Sequence, residues 1–485
     1  MNALHLLPER FDVAVVGGGL AGLAAAATAA RDGRSVVLFE QASAPGGRAR
    51  TRLENGYSFN IGPHALYQGG ITLRHLRDLG VQVRAAKVGI SGSLAVKDGR
   101  SFDLPAGLGT LLSTPLLDWR GKLELGMFLG TVGKMDPRPL DGLTVNDWLG
   151  RAVRNPEARQ IVEVAIRTGA YADAPDQLSA GAGLRQLQVG LSGALYVDGG
   201  WQTIVDDLRA RAESFGAQIV DGARVAEVEV EVTSASPSPV REAGTPVLSP
   251  VRRDGRGATE VRAVRLADGR RFEVGAAILA VPPKNASALV SGGEQEALAA
   301  WAERAVSIRA ASLDVGLRRL PRPKQWFALG LDRPLYLSVH SKWAKLAPEG
   351  GALVHVLRYL SPSERGGAEH EQELEALLDL VQPGWQDDVV TRRYMPDLTV
   401  AGALPSVAWE QREGPRGAEV PDMHGLFVAG DWVGPEGMLA DRALSSGVRA
   451  GHEAAQSAVE SRSAQLAAYG PARGSSAPVV VEEVA

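Results

Sequence analysis

The stretch from Val13 to Gly22 reads VAVVGGGLAG and decides the fold of this chain. Its first four residues are apolar and mostly β-branched, which is typical of a buried parallel strand. Leu20 to Arg31 is rich in alanine and predicts a helix that ends at Gly33. A second apolar run, Ser35 to Phe39, predicts the next strand. Strand, helix and strand in this order predict a βαβ unit with a right-handed connection.

Three glycines in this stretch have the spacing of a dinucleotide-binding loop. Gly17 permits the tight turn, Gly19 lets the backbone approach a pyrophosphate, and Gly22 allows the helix to pack closely on the strand. The free amides at the helix start, around Leu20 and Ala21, favour the charge of a phosphate. This loop is therefore the first candidate binding site.

An acidic residue completes the motif. Glu40 lies 18 residues past Gly22, at the end of the second predicted strand. Its carboxylate can accept hydrogen bonds from ribose hydroxyls, and its charge repels the 2′-phosphate of NADP. Because strand, helix, second strand and acidic residue occur together, the motif predicts a dinucleotide site over a generic glycine-rich loop.

Composition excludes several other classes of function. The chain has 485 residues and no cysteine, so it has no disulfide, no thiolate metal site and no cysteinyl cofactor link. The formal net charge of −4 gives no basic field for nucleic acid. None of the eight histidines forms an HxH or i, i+4 pair, so no metal site is predicted. Residues 1–10 lack the features of a signal peptide and no apolar run is long enough to span a bilayer, so we expect a cytoplasmic protein.

Other segments of the sequence predict how the chain is divided into domains. Arg271–Val274 and Gly275–Val281 predict two further strands. Residues 234–258, rich in Pro, Ser, Gly and Arg, predict a mobile loop, and 470–485 predict a disordered tail. The fold class is α/β. We expect a Rossmann-type dinucleotide domain assembled from 1–80, 196–290 and 421–466, and a mixed α+β substrate domain from 81–195 and 291–420.

The sequence APGGR at Ala44–Arg48 extends the motif. With it, Val13–Arg48 resembles the flavin-binding signature of the FAD-dependent amine oxidase and phytoene desaturase superfamily, to which protoporphyrinogen oxidases also belong. The resemblance continues at Gly56–Pro63, Gly199–Val232, Ala277–Pro283 and Leu426–Gly451, nearly half of the chain. These motifs are specific for FAD but not for a substrate. Since no cysteine is present, we expect the FAD to be bound non-covalently.

The resemblance also implies a role for individual residues at the flavin. In the family, the positions that match Gly47 and Arg48 contact the flavin and its phosphates, and those that match Gly62, Pro63 and His64 pass close to the isoalloxazine ring. The position of Val225 hydrogen-bonds the adenine edge, and the positions of Gly430 and Asp431 contact the ribityl and pyrophosphate region. The positions of Gly437, Met438 and Leu439 offer amides to the flavin pyrimidine.

Two departures from amine oxidases point to the reaction. Those enzymes usually carry a lysine on the strand that matches Ile308–Leu313 and an aromatic residue at the position of Leu439. Without them, the resemblance favours desaturation of a hydrophobic, isoprenoid-like small molecule by hydride transfer to flavin N5. The alternatives are amine or protoporphyrinogen oxidation, flavin-dependent isomerisation, and a non-catalytic lipid-binding escort protein of the same fold. A single dinucleotide motif favours oxygen or a quinone as the electron acceptor, and the oligomeric state stays open.

Three further features remain as hypotheses. His64 is the candidate catalytic acid or base, and its alternative is a structural histidine bonded to a backbone carbonyl. Tyr171 and Arg167 are candidates for the wall of the substrate cavity, and a core or surface role is the alternative. Pro105–Met135 is rich in Leu, Gly and Met, and it predicts either an interfacial helix with peripheral membrane contact or a helix packed on the protein's own core.

Overall fold

The computed structural model describes residues 7–232, 259–291 and 296–468. The predicted mobile loop 234–258 and tail 470–485 lie outside these described residues. In chain order the strands are Arg10–Val16 (β1), Val36–Phe39 (β2), Thr51–Glu54 (β3), Tyr57–Asn60 (β4), Leu66–Tyr67 (β5), Ala85–Lys87 (β6), Ser93–Lys97 (β7), Arg100–Asp103 (β8), Ala194–Val197 (β9), Gln218–Val220 (β10), Val225–Val232 (β11), Thr259–Leu266 (β12), Arg271–Leu279 (β13), Val290–Ser291 (β14), Ile308–Leu317 (β15), Phe327–Gly330 (β16), Leu335–Val339 (β17), Ala352–Leu360 (β18), Val389–Ala401 (β19), Met423–His424 (β20) and Leu426–Val428 (β21). The α-helices are Leu20–Arg31 (α1), Thr72–Asp78 (α2), Leu108–Ser113 (α3), Trp119–Val132 (α4), Val145–Ala152 (α5), Pro156–Ala170 (α6), Ala180–Leu191 (α7), Gln202–Ser214 (α8), Pro283–Leu289 (α9), Glu296–Arg304 (α10), Glu369–Val381 (α11) and Leu439–Ala468 (α12).

A nine-stranded sheet contains the predicted βαβ unit. Its order is β10-β2-β1-β13-β12-β11-β14, with β20 and β21 paired to β12 and β13 off this path. The central pairs are parallel: Val15 of β1 lies between Leu38 of β2 and Ile278 of β13. Its strands come from three separated parts of the chain, and the α/β class is confirmed. The exact domain limits at 80, 195, 290 and 420 stay a prediction.

The prediction of two strands between Arg271 and Val281 was wrong. One continuous strand, β13, pairs antiparallel with β12 at its start and parallel with β21 at its end. Gly275 does not interrupt it. A Cβ at Gly275 would lie 3.3 Å from the Cβ of Ala458 in α12, so the glycine permits close packing of helix on strand.

Helix α1 is buried between this sheet and α12. Every residue from Ala21 to Ala30 is buried, which explains the run of small side chains. The two helices meet through glycines of α12: a Cβ at Gly447 would lie 2.3 Å from the carbonyl oxygen of Ala21, and one at Gly451 would lie 2.6 Å from that of Ala25. This contact fixes the C-terminal helix against the helix that follows the glycine loop.

A second sheet of seven strands has the order β19-β15-β18-β17-β16-β7-β8. Its pairs are antiparallel except β16 with β7. One apolar core packs this sheet against α11, through residues such as Leu313, Val356 and Leu377. A second core joins its strands to the helices α4–α7, through residues such as Tyr359, Phe128 and Leu184. Two small sheets, β3-β4 and β5-β9-β6, accompany the two large ones.

The segment Pro105–Met135 forms two helices with two different faces. Leu111 of α3 and Leu125 and Phe128 of α4 are buried in the core. The opposite face of both helices carries large apolar side chains that are exposed to solvent. The buried face agrees with a helix packed on the protein's own core, and membrane contact of the exposed face stays a prediction. Across the described part of the chain, none of the helices is long and apolar enough to cross a membrane.

Candidate active site

A cavity of about 1040 Å³ lies where the parallel strands end. Its wall takes Gly19 and Glu40 from the ends of β1 and β2, and Leu357 and Val400 from the second sheet. Ligands bind at the carboxyl ends of strands in such open parallel sheets. The predicted site residues on this wall are Gly17, Gly19, Leu20, Ala21, Glu40, Gly47, Arg48, Pro63, His64, Val225, Gly430, Asp431, Met438 and Leu439.

The glycine loop has the shape that a pyrophosphate needs. Gly17 has φ of +105°, a conformation that other residues rarely adopt. A Cβ at Gly22 would lie 1.9 Å from the carbonyl oxygen of Gly17, so only glycine fits this helix–strand contact. A Cβ at Gly19 would meet no atom within 4 Å, which leaves the start of α1 open to the cavity. The loop therefore offers backbone amides to an anion without a side chain in the way.

Glu40 is buried at the cavity wall, and its carboxylate has two backbone partners. Oε2 accepts a hydrogen bond of 2.7 Å from the amide of Gly18, and Oε1 accepts one of 2.7 Å from the amide of Ala42. Each carboxylate oxygen has a further lone pair for a ribose hydroxyl. Glu40 thus fixes the loop as well as facing the place predicted for the ribose.

An ion pair joins the two ends of the predicted signature. Arg48 Nη1 lies 2.6 Å from Asp431 Oδ2 and donates to the carbonyl oxygen of Val400 at 2.9 Å. Asp431 also accepts from the amide of Gly402, and it is buried. The pair therefore ties the segment after β2, the end of β19 and the segment after β21 into one wall of the cavity.

His64 lines the cavity, and both of its ring nitrogens face backbone carbonyl oxygens. Nδ1 lies 3.0 Å from Gly62 O, and Nε2 lies 3.1 Å from Arg48 O. Burial lowers the pKa of His64 to about 4, against the opposing effect of the two carbonyls. A neutral ring can donate to only one of them, whereas a protonated ring satisfies both. The geometry contains the predicted carbonyl-bonded histidine, and the catalytic role stays a prediction.

Three predicted residues lie beside the cavity wall. Gly22 packs against the loop, as described above. Gly62 has φ of +74°, and a Cβ there would lie 2.9 Å from Leu398. Gly437 has φ of +68°, and a Cβ there would lie 2.7 Å from the Cβ of Asp441. These glycines shape the segments that carry His64 and Met438, and their contact with a flavin stays a prediction.

The structure adds wall residues that the sequence did not single out. Tyr67, Trp201 and Asp441 line the cavity together with Tyr171, which was a candidate. The position of Asp441 in the first turn of a long helix could have indicated a site residue, whereas nothing in the sequence around Tyr67 and Trp201 indicates that they line the cavity. Arg167, the other candidate, lies elsewhere: it is buried and donates to the carbonyl oxygen of Gly330 at 2.6 Å.

Comparison with known proteins decides the kind of cofactor. The sequence model of flavin-containing amine oxidoreductases matches residues 20–454, which includes the helix start at the glycine loop and the Gly430-Asp431 segment. The chain belongs to this family. The predictions of a flavin cofactor and of a flavin-dependent oxidoreductase are thereby confirmed, and the open glycine loop, Glu40 and the Arg48–Asp431 wall fit the dinucleotide form, FAD.

The alignments with individual relatives cover only part of each relative's length. The chain is 26% identical over 253 residues to a 4,4′-diaponeurosporene oxygenase of Staphylococcus aureus, which covers 45% of this chain and 50% of that protein. It is 47% identical over 58 residues to an all-trans-retinol 13,14-reductase of Macaca fascicularis, 12% of this chain and 10% of that protein. The chain thus spans half or less of these curated relatives.

A solved structure shows the same fold over most of the chain. Wild-type putrescine oxidase bound to putrescine is 16% identical, with 91% of this chain and 98% of that chain covered and a TM-score of 0.64. This likeness confirms the Rossmann-type fold that the motifs predict.

Proposed function

We propose that this flavin-dependent oxidoreductase dehydrogenates an apolar, isoprenoid-like substrate. FAD, when bound, supplies the electron-accepting chemistry at N5 of its ring. Oxygen or a quinone is the proposed final electron acceptor, since the sequence holds one complete dinucleotide motif. The chain's own residues must then bind an apolar molecule, exclude water and receive a proton.

The apolar wall beside His64 carries this proposal. The cavity lining includes six apolar side chains from β5, from two strands of the second sheet and from the start of α12, namely Leu66, Leu357, Leu398, Val400, Met438 and Leu439. Within the described ranges, no lysine lines the cavity. Binding in such a site is driven by burial, at about 25 cal/mol per Å² of apolar surface. The names of these two relatives refer to a diaponeurosporene and to a retinol, both isoprenoid polyenes, which supports the same substrate class.

In this proposal His64 receives the proton that the substrate loses. The two carbonyl oxygens that face its ring nitrogens favour the protonated ring, but burial has the larger effect on the pKa, so His64 holds this proton only transiently. Trp201 packs edge-on against the His64 ring, with 5.0 Å between the ring centroids, and helps to exclude water. The Arg48–Asp431 pair holds the neighbouring wall in place.

Amine oxidation is the second candidate, and one observation favours it. Two tyrosines, Tyr67 and Tyr171, line the cavity, so it has an aromatic wall although Leu439 occupies the C-terminal segment. Ring faces can bind a cationic or neutral amine. Porphyrinogen oxidation uses the same apolar cavity and is a further alternative.

Anaerobic stopped-flow spectroscopy separates these candidates. A hydrophobic polyene precursor in detergent is expected to bleach the flavin, while benzylamine and putrescine are expected to leave it oxidised. A protoporphyrinogen sample belongs in the same panel. Fast bleaching by the amines, with none by the polyene, would overturn the proposal and make amine oxidation the function.

The proposal includes contact with a lipid surface, where an apolar substrate would be found. Side chains on one face of α3 and α4 are more than half exposed and recur every four residues. Arg120 and Lys122 flank this face, and such residues attract anionic headgroups. The exposed apolar residues, which we call the apolar face, are Leu108, Leu112, Trp119, Leu123 and Met127.

A further inference from the structure

A row of buried polar side chains crosses the seven-stranded sheet. Arg393, Asp314, His355 and Ser338 are direct cross-strand neighbours on β19, β15, β18 and β17. Asp314, His355 and Ser338 are fully buried. We call Arg393, Asp314 and His355 the polar row.

The polar row is held together by short hydrogen bonds. His355 Nδ1 lies 2.8 Å from Asp314 Oδ1, and Arg393 Nη2 lies 2.8 Å from Asp314 Oδ2. Ser312 also donates a hydrogen bond of 3.0 Å to Asp314. Buried ion pairs seldom stabilise a protein more than apolar side chains of the same volume would. Stability alone is therefore a weak explanation for this row.

The polar row reaches the segment that carries His64. Arg393 also donates to the backbone carbonyl oxygen of Asn60, four residues before His64. The side chain of Asn60 accepts a bond of 3.0 Å from the amide of Trp201, whose ring packs on His64. Arg393 and Asn60 thus fix both the start of the His64 segment and the ring against which His64 packs.

Charges of the polar row also act on His64. Burial has the largest effect on its pKa; beyond that, His355 lowers the pKa of His64 and the Asp314 carboxylate raises it. The other titratable neighbours are His340, whose ring lies 4.6 Å from that of His355, and Arg48, whose charge is paired with Asp431. Burial, His355 and His64 in turn lower the pKa of His340.

We propose that Arg393, Asp314 and His355 form a positioning array for His64, which holds the segment 60–64 in place and couples the His64 ring to a buried charge. The inference rests on the proposed function, in which His64 receives the substrate's proton. The array residues touch neither the cavity nor the reacting atoms, so they are positioning residues.

Histidine NMR of the FAD-loaded protein tests this array without any substrate. Ring nitrogens of ¹⁵N-histidine-labelled protein are titrated between pH 2.5 and 8, and the His64 signal is identified by its loss in His64→Asn. His355→Gln keeps a hydrogen-bond donor for Asp314 but removes the imidazole that lowers the pKa of His64, so the His64 midpoint is expected to rise by about one pH unit. Asp314→Asn is expected to move it in the opposite direction.

A matched ion pair between the same sheet and α11 gives the control. Arg358 on β18 lies 2.7 Å from Glu373, and both side chains are largely buried. Glu373→Gln is expected to cost stability but to leave the His64 midpoint unchanged. Shifts of the same sign in His355→Gln and Asp314→Asn, or an unchanged midpoint in His355→Gln, would overturn the proposal.

The outcomes separate this inference from the proposed function. If Asp314→Asn does not fold, His355→Gln still tests the array, because the His64 midpoint in that variant either rises or does not. If the His64 midpoint rises in His355→Gln but only amines bleach the flavin, the proposed substrate is wrong and the array is supported. If the polyene bleaches the flavin but the His64 midpoint is unchanged, the proposed substrate is supported and the array is wrong.

Discussion

Tyr171 and Leu439 line the same cavity, and both have a left-handed backbone with φ of 55°. Tyr171 follows the last residue of α6, and Leu439 begins α12. The other non-glycine residues with positive φ in the described ranges are asparagine or aspartate, which adopt this conformation at lower cost. A bulky residue there costs about 1–2 kcal/mol, so strain is concentrated at the cavity, as is common at functional sites.

The strain at Leu439 predicts an unusual response to glycine. Leu439→Gly relieves the backbone while losing a partly buried side chain, so the free energy of unfolding is expected to stay within about 1 kcal/mol of the parent. Leu444→Gly, a fully buried position in the same helix, is expected to cost at least about 3 kcal/mol. Urea denaturation of the two variants makes the comparison, and equal losses would refute the strain.

Glu40 has two roles, and its substitution is expected to show both. Glu40→Ala leaves the amides of Gly18 and Ala42 without their acceptor, so the flavin-free protein is expected to lose about 1–3 kcal/mol of stability. FAD affinity is expected to fall by about 1–3 kcal/mol as well. Glu40→Gln, which keeps one acceptor oxygen, should lose less of each. Dialysis against flavin-free buffer measures the affinity, and full flavin retention by Glu40→Ala would contradict the assignment.

The FAD is predicted to be non-covalent. The sequence has no cysteine to link the flavin ring, and both nitrogens of His64 face backbone carbonyl oxygens. Acid precipitation should therefore release all of the yellow colour into the supernatant. Flavin that stays in the washed pellet would show a covalent link.

The apolar face predicts binding to lipid vesicles. Flotation with equal parts of phosphatidylcholine and phosphatidylglycerol should recover the protein with the lipid, and the triple variant Trp119→Ser, Leu123→Ser, Met127→Ser should reduce the bound fraction about tenfold or more. Leu53→Ser is the matched control, because Leu53 is equally exposed but lies on β3. A similar loss with Leu53→Ser, or none with the triple variant, would argue against this surface.

The depressed pKa of His64 predicts how stability depends on pH. Its folded pKa, about 4, lies below the ordinary value of 6.5, so the unfolded chain binds the proton more readily. The contribution of His64 is complete above pH 6.5 and is lost as the pH falls towards 4, a change of about 3 kcal/mol. His64→Asn should flatten this part of the stability curve, measured by urea denaturation at several pH values.

Local sequence was sufficient for the dinucleotide half of the site. The glycine spacing, the apolar runs on either side and Glu40 all lie within 30 residues, so short-range rules predict β1, α1 and β2 together. The prediction of a strand boundary at Gly275 failed because this glycine allows close contact with α12, which begins more than 160 residues later in the sequence. Tertiary packing therefore explains why a glycine lies within the continuous strand β13.

Only the tertiary structure could decide the substrate half. The Arg48–Asp431 pair joins residues 383 positions apart, and the polar row takes one residue from each of three strands. Nothing in the sequence of any one strand indicates which polar residue on the neighbouring strand it meets, because strand order and register are set by tertiary packing. The amino-acid sequence determined the flavin-binding loop because turn and helix geometry are local. The cavity wall, the strained Tyr171 and Leu439, and the surroundings of His64 were decided by which strands and helices pack together.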